Sequence, residues 1–190
     1  MRFGYLLSPE YLPGTDMHVA LQEQQLIVSA CRDLGMSAVL CSEHLSRAHS
    51  IWCPPMLLLS KVCEHGEGMT FGTAVLAAGL HNPVALAEQV AFLDAATDGR
   101  FVLGLAAGWN RSEFESVGAD IHLRGCALDE TLEILRALWE SDEPVTYRGQ
   151  VYRLRDAVLS FRPSAGARQP VWLGGGSDRA LARAADRGDA

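Results

Sequence analysis

The chain has 190 residues, 48% of them hydrophobic, which suffices for one ordinary domain with a buried core. Its formal net charge of −7 argues against a nucleic-acid partner, because binding phosphates calls for a basic face. No apolar stretch reaches the ~18 residues of a membrane span, and the opening MRFGYLLSPE lacks a signal peptide's layout. The five cysteines (Cys31, Cys41, Cys53, Cys63 and Cys126) are scattered without a C-x-x-C pair, so they read as reduced thiols of a cytoplasmic protein.

Strand and helix signals alternate along the chain. Arg2 to Leu7 reads as a strand and Asp16 to Leu34 as a helix closed by Gly35, with Val19, Leu26, Ile27, Ala30 and Leu34 as its apolar face. Ser37 to Cys41 is a second strand, followed by a helix over Pro55 to Glu64. Met69 to Ala77 is a third strand. Its helix, Pro83 to Ala96, opens on an Asn82 cap with proline in the first turn. Phe101 to Ala106, apolar throughout, is a fourth strand covered on both faces. A short helix from Arg111 follows, where Asn110 and Glu113 have capping-box spacing. A longer helix, Cys126 to Glu140, carries Leu128, Leu132, Leu135 and Leu138. Pro144 to Gln169 is an insertion, beginning with a small hairpin that turns at Arg148-Gly149. Pro170 to Leu173 is the fifth strand and Asp178 to Asp186 the fifth helix.

Such alternation means a parallel sheet, either open and doubly wound or the first five units of a (β/α)8 barrel, which in full needs about 250 residues. In both folds function gathers where strands end. Those ends bring Ser42-Glu43-His44, Ala74 to Leu76 leading to His81, Gly108-Trp109-Asn110 and Gly174-Gly175-Gly176-Ser177 to one face. His44 is suited to proton transfer, since imidazole titrates near neutrality, or else it caps its loop. Glu43 points the opposite way from His44 on an extended segment and can serve the backbone alone. The run LGGGSDRAL leads into a helix with Ser177 as its N-cap. Its glycines let backbone N–H groups approach a phosphate, or simply form a tight turn. It matches neither the P-loop nor the dinucleotide fingerprint. Arg111 and Arg124 could add positive charge, and Trp109 could wall a flat ligand. No histidine or cysteine spacing suggests a metal, and without a G-x-S-x-G elbow a serine hydrolase is not indicated.

The blocks SEHL (42–45), FGTAVLAAGLHNPVALAEQVAFLD (71–94), DGRFVLGLAAGWNRSEFESVGAD (98–120), RGCALDETLEILRALW (124–139) and VWLGGGSDRAL (171–181) together resemble the luciferase-like monooxygenase superfamily. The resemblance implies a TIM barrel binding FMN, or alternatively coenzyme F420, at the strand ends. It places His44 as the catalytic residue beside the reactive edge of the cofactor, and a cis peptide at Ala74-Val75 against the ring. Gly176 and Ser177, with Arg124, fall at the phosphate. Glu43, Ala74, Val75, Leu76, Gly108, Trp109, Arg124, Gly174, Gly175, Gly176 and Ser177 are thus the expected cofactor-binding residues. Luciferase has an arginine where this chain has Ala107, which leaves the choice between FMN and F420 open. The resemblance further implies that residues 1–190 are one partial barrel domain, truncated after the fifth β/α unit, of a protein that is homodimeric at full length. The implied activity is oxygenation of a small organic substrate by reduced FMN and O2, with a separate flavin reductase as partner. F420-dependent hydride transfer and non-catalytic flavin binding are the alternatives.

Overall fold

A computed structural model of the chain describes residues 1–46, 48–164 and 169–189. Its elements run β1 (Gly4–Leu7), β2 (Glu10–Tyr11), α1 (Met17–Asp33), β3 (Ala38–Cys41), β4 (Ile51–Trp52), α2 (Pro55–Val62), β5 (Thr70–Thr73), β6 (Leu76–Ala77) and α3 (Pro83–Ala96). They continue with β7 (Phe101–Ala106), α4 (Arg111–Ser116), α5 (Arg124–Glu140), β8 (Val145–Arg148), β9 (Arg153–Ala157), β10 (Val171–Leu173) and α6 (Asp178–Arg187). The expected helices and strands are all present, with ends shifted by at most two residues, except that the third strand is divided.

The main sheet has the order β1-β3-β5-β7-β10, and every pair in it is parallel. A doubly wound sheet reverses its strand order at a switch point. No reversal occurs over these five strands, which is the barrel order. All their C-terminal ends therefore open on one rim. Behind the sheet, α3 packs against α2, β7 and α5. Leu128, Leu132, Leu135 and Leu138 of α5 are all buried, as their spacing indicates. Burial of leucine or phenylalanine side chains contributes about 1.5–3 kcal/mol each, and they supply half of the buried core cluster.

Of the expected apolar face of α1 only Ile27 packs against the core. The helix buries Ala20, Gln24, Val28 and Cys31, while Val19, Leu26 and Leu34 lie at the surface. The apolar count was outweighed by a polar anchor. The Gln24 amide donates to the Tyr11 hydroxyl (2.6 Å), which itself donates to the Ala20 carbonyl (3.2 Å). That pair ties the α1 face to the antiparallel ribbon β2–β4, an element without a sequence signal.

The third strand is also divided, into β5 and β6, by a cis peptide between Ala74 and Val75. Where β5 leaves β7, the buried Thr73 hydroxyl replaces the lost ladder: it donates to the Gly104 carbonyl (2.8 Å) and accepts from its N–H (2.9 Å). Only glycine fits at 104, because a Cβ there would lie 1.9 Å from the Thr73 carbonyl oxygen. The insertion forms the hairpin β8–β9, its strands joined at Arg148 and Arg153; its residues 165–168 lie outside the described residues. Among the described residues no helix is long and apolar enough to cross a membrane.

Candidate active site

The strand ends surround a cavity of about 500 Å3. The loop after β3 supplies Ser42, Glu43 and His44, and the break between β5 and β6 supplies Ala74 and Val75. Ala106 to Trp109 come from the end of β7, Glu113 from α4, Arg124 from the start of α5, and Gly174 to Ser177 from the turn after β10. Every site residue expected from the sequence lines this cavity except Leu76. That side chain is fully buried in the hydrophobic core, because alternation along the strand turns it away once Val75 faces the opening.

Two carboxylate–imidazole pairs organise one wall. His44 Nδ1 lies 2.9 Å from Glu113 Oε1, and both side chains are mostly buried. Its ring also meets Trp52 and Trp109 edge-on, with centroids 4.5 and 6.4 Å away. Held through Nδ1, the imidazole has Nε2 left for a ligand or a proton. Glu43 lines the same cavity but turns to other partners. Its Oε2 accepts the Ala77 N–H (2.9 Å), and its Oε1 lies 2.8 Å from His81 Nε2. Glu43 thus braces the segment after Val75 and orients a second histidine.

His81 is marked only by its place after the third strand, and the local signal at Glu113, its capping-box spacing, points to Asn110 and not to His44. Asn110 caps α4 through Ser112 as its spacing suggested, but the Glu113 carboxylate turns to a residue 69 positions away. Only the placement of both at strand ends hinted at a shared rim.

The opposite end of the cavity is polar backbone. Ser177 caps α6, its hydroxyl accepting the Ala180 N–H (3.2 Å). The backbone N–H groups of Gly175 and Gly176 bond to no described residue, and a Cβ at Gly176 would meet nothing within 4 Å. Open N–H groups at a helix N-terminus suit an anion. Arg124 lines the same end; its guanidinium donates to the Ile121 carbonyl (2.9 Å), and it has no carboxylate partner among the described residues. Arg111 instead lies outside the cavity, near Glu115.

Between the two ends the wall is apolar, formed by Ala74, Val75, Ala106 and Ala107. Gly108, at φ +83°, turns the chain there, and a Cβ on it would press Phe114 at 2.8 Å. Trp109 is 74% exposed at the rim, so it belongs to the opening and not to the core. Cys41 lies beneath this wall. Burial, with Cys53 and Glu43 nearby, pushes its thiol up to about 12, so it remains protonated and unreactive at neutral pH.

The profile described as luciferase-like monooxygenase matches residues 1–190. The chain belongs to the luciferase-like monooxygenase family. It is 29% identical over 169 residues to the 4-hydroxyprotoasukamycin monooxygenase of Streptomyces nodosus subsp. asukaensis, covering 89% of this chain and 46% of that protein. It is 27% identical to the F420-dependent glucose-6-phosphate dehydrogenase of Amycolatopsis mediterranei, covering 100% of this chain and 56% of that one. Among solved structures, an F420-dependent secondary alcohol dehydrogenase superposes with a TM-score of 0.83 at 23% identity, over 99% of this chain and 56% of that chain. The chain thus spans about half the length of the relatives it matches. The fold is that of a luciferase-like TIM barrel, with five β/α units in these residues. The relatives it matches include monooxygenases and F420-dependent dehydrogenases, which makes this a family of oxidoreductases.

Proposed function

We propose that residues 1–190 form one partial barrel domain carrying the cofactor seat of an oxidoreductase in which reduced FMN and O2 oxygenate a small organic substrate. The observation that carries this reading is the convergence on one cavity of a proton-exchanging pair, an apolar wall and an anion-binding turn. A cavity of about 500 Å3 suits a ligand of cofactor size. The glycine turn and Arg124 fit a phosphate, while Val75 and Trp109 fit the two sides of a flat ring. When bound, FMN supplies the electrons and the reaction with O2. The protein's part is to hold the phosphate at Gly174 to Ser177, to back the ring with Ala74 and Val75, and to keep water from it. His44 moves a proton at Nε2, while Glu113 holds Nδ1 and stabilises the charged imidazole. Glu43 fixes the backbone at Ala77 behind the ring. A separate reductase would deliver reduced FMN, and the whole protein would be a cytoplasmic homodimer.

A second reading, hydride transfer with F420, uses the same seat. It is favoured by the match of the F420-dependent dehydrogenase to the whole of this chain, and alcohol oxidation needs the proton acceptor that His44 provides. The test is titration of the chain with FMN and, separately, F420, following cofactor fluorescence and melting temperature together. Micromolar binding of either, weakened at least about tenfold by Ser177→Asp, supports the seat. Binding that ignores Ser177→Asp, or no binding of either, overturns it. Product formed from 18O2 with a flavin reductase present then separates oxygenation from hydride transfer and from binding without turnover.

A further inference from the structure

Glu43 and His44 also line a second cavity of about 460 Å3, and among the described residues these two alone are shared with the first. Its other walls come from the loop after β3, from β4, and from the starts of α2 and α3. Leu45, Trp52, Pro55 and Met56 make it largely apolar, and none of these four lines the first cavity. Trp52 offers only its ring, because its indole N–H already donates to the Ser50 hydroxyl (3.1 Å). The mostly buried imidazole of His81 is the polar group left to a ligand. Glu43 spends Oε2 on the Ala77 N–H (2.9 Å) and Oε1 on His81 Nε2 (2.8 Å). A carboxylate only accepts, so Nε2 carries the proton of a neutral His81 and Nδ1 keeps its lone pair. Among the described residues nothing bonds to that Nδ1.

We propose that this cavity is a second small-molecule site, taking a neutral, largely apolar alcohol whose hydroxyl donates to His81 Nδ1. A volume of about 460 Å3 is within the range of small-molecule sites. An anion is disfavoured there, since it would meet a lone pair backed by the Glu43 carboxylate. A pure hydrocarbon would bury Nδ1 without a partner, which costs free energy. A hydroxyl on an apolar frame satisfies both demands at once. The site is independent of which cofactor fills the first cavity, because it uses neither the glycine turn nor the wall at Val75.

The test is an NMR titration of the chain, with isotope-labelled methionine methyl groups, against the bicyclic alcohol decahydronaphthol, its methyl ether and the matching decahydronaphthoate. Met56 lines the cavity whereas Met1, Met36 and Met69 do not, so the Met56 methyl resonance reports the site. The alcohol should shift it saturably and bind about fivefold tighter than the ether, which has no proton to donate. The carboxylate should bind more weakly than either, and excess FMN or F420 should leave the alcohol in place. His81→Phe should abolish the preference for alcohol over ether, with melting temperature as the folding control; the comparison of the two probes on the unaltered chain needs no variant. Equal affinity for alcohol and ether overturns the hydroxyl contact, and tighter binding of the carboxylate overturns the neutral-ligand assignment. Displacement of the alcohol by FMN places it in the first cavity and overturns the second site, while leaving the cofactor seat standing. No shift of Met56 with any probe overturns the site outright.

Discussion

Replacement of Glu130 by glutamine should detach the hairpin β8–β9 from the barrel wall. Glu130 lies on α5 with 6% of its surface exposed. Its carboxylate accepts backbone N–H groups from Gln150 (2.6 Å), Val151 (3.1 and 3.2 Å) and Tyr152 (2.8 Å). The turn closes this tightly because residue 149 is glycine; a Cβ there would lie 2.2 Å from the carboxylate. A hydrogen bond to a charged acceptor contributes about 1.5–3 kcal/mol, and water recovers part of that at a half-buried turn. Allowing roughly 1 kcal/mol for each of the three donors gives a loss of about 3 kcal/mol. For a chain of this size that lowers the melting temperature by about 6–12 °C.

The effect should also depend on pH. Burial pushes the Glu130 carboxyl up, but the N–H groups of Tyr152, Val151 and Gln150 together hold it below its ordinary 4.5. A carboxyl whose folded value is depressed stabilises the protein above its unfolded value and loses that contribution as pH falls through the folded one. The gap between wild type and Glu130→Gln should therefore be full at about pH 7 and narrow once pH drops below about 4.5. Differential scanning calorimetry across that range measures it. The hairpin also reaches the active site, where the Tyr152 hydroxyl donates to the His81 carbonyl (3.3 Å), so cofactor affinity should fall along with stability. A melting temperature within about 2 °C of wild type, or a gap that does not change with pH, would refute the reasoning.

Other expectations follow from the same geometry. Gly104→Ala should cost at least about 3 kcal/mol in urea unfolding, because the obstructing atom is the Thr73 backbone oxygen and cannot swing aside; a loss below about 1 kcal/mol would contradict this contact. Glu113→Gln should lower turnover by about a hundredfold or more while cofactor affinity, read by fluorescence, stays within about threefold, since it disturbs proton transfer and not the phosphate end. A parallel loss of affinity would instead assign Glu113 to cofactor binding. Thiol labelling followed by mass spectrometry should modify Cys126 first, because it is partly exposed whereas Cys31, Cys41, Cys53 and Cys63 are buried and out of the reagent's reach. Rapid labelling of Cys41 in the folded chain would show that the sheet is open at its second strand.

Much of the architecture was legible in the sequence because it is written in local terms. Asn82-Pro83 starts α3 and Ser177 starts α6, since caps and first-turn prolines act over three or four residues. The run Phe101 to Ala106 coincides with β7, because a strand covered on both faces must be apolar throughout. Glu43, His44 and the glycine turn could be placed on one rim, since parallel strands end on the same side. Tertiary structure alone decided the rest. It chose the strand order that makes a barrel, turned α1 toward Gln24 and away from Leu26, and buried Leu76 one residue from a cavity-lining valine. It paired His44 with Glu113 across 69 residues and set Glu43 and His44 in the walls of two cavities. Capping, periodicity and glycine geometry are properties of neighbouring residues and so are fixed by sequence. The direction of a side chain and the identity of its distant partner depend on how whole elements pack, and no local pattern records them.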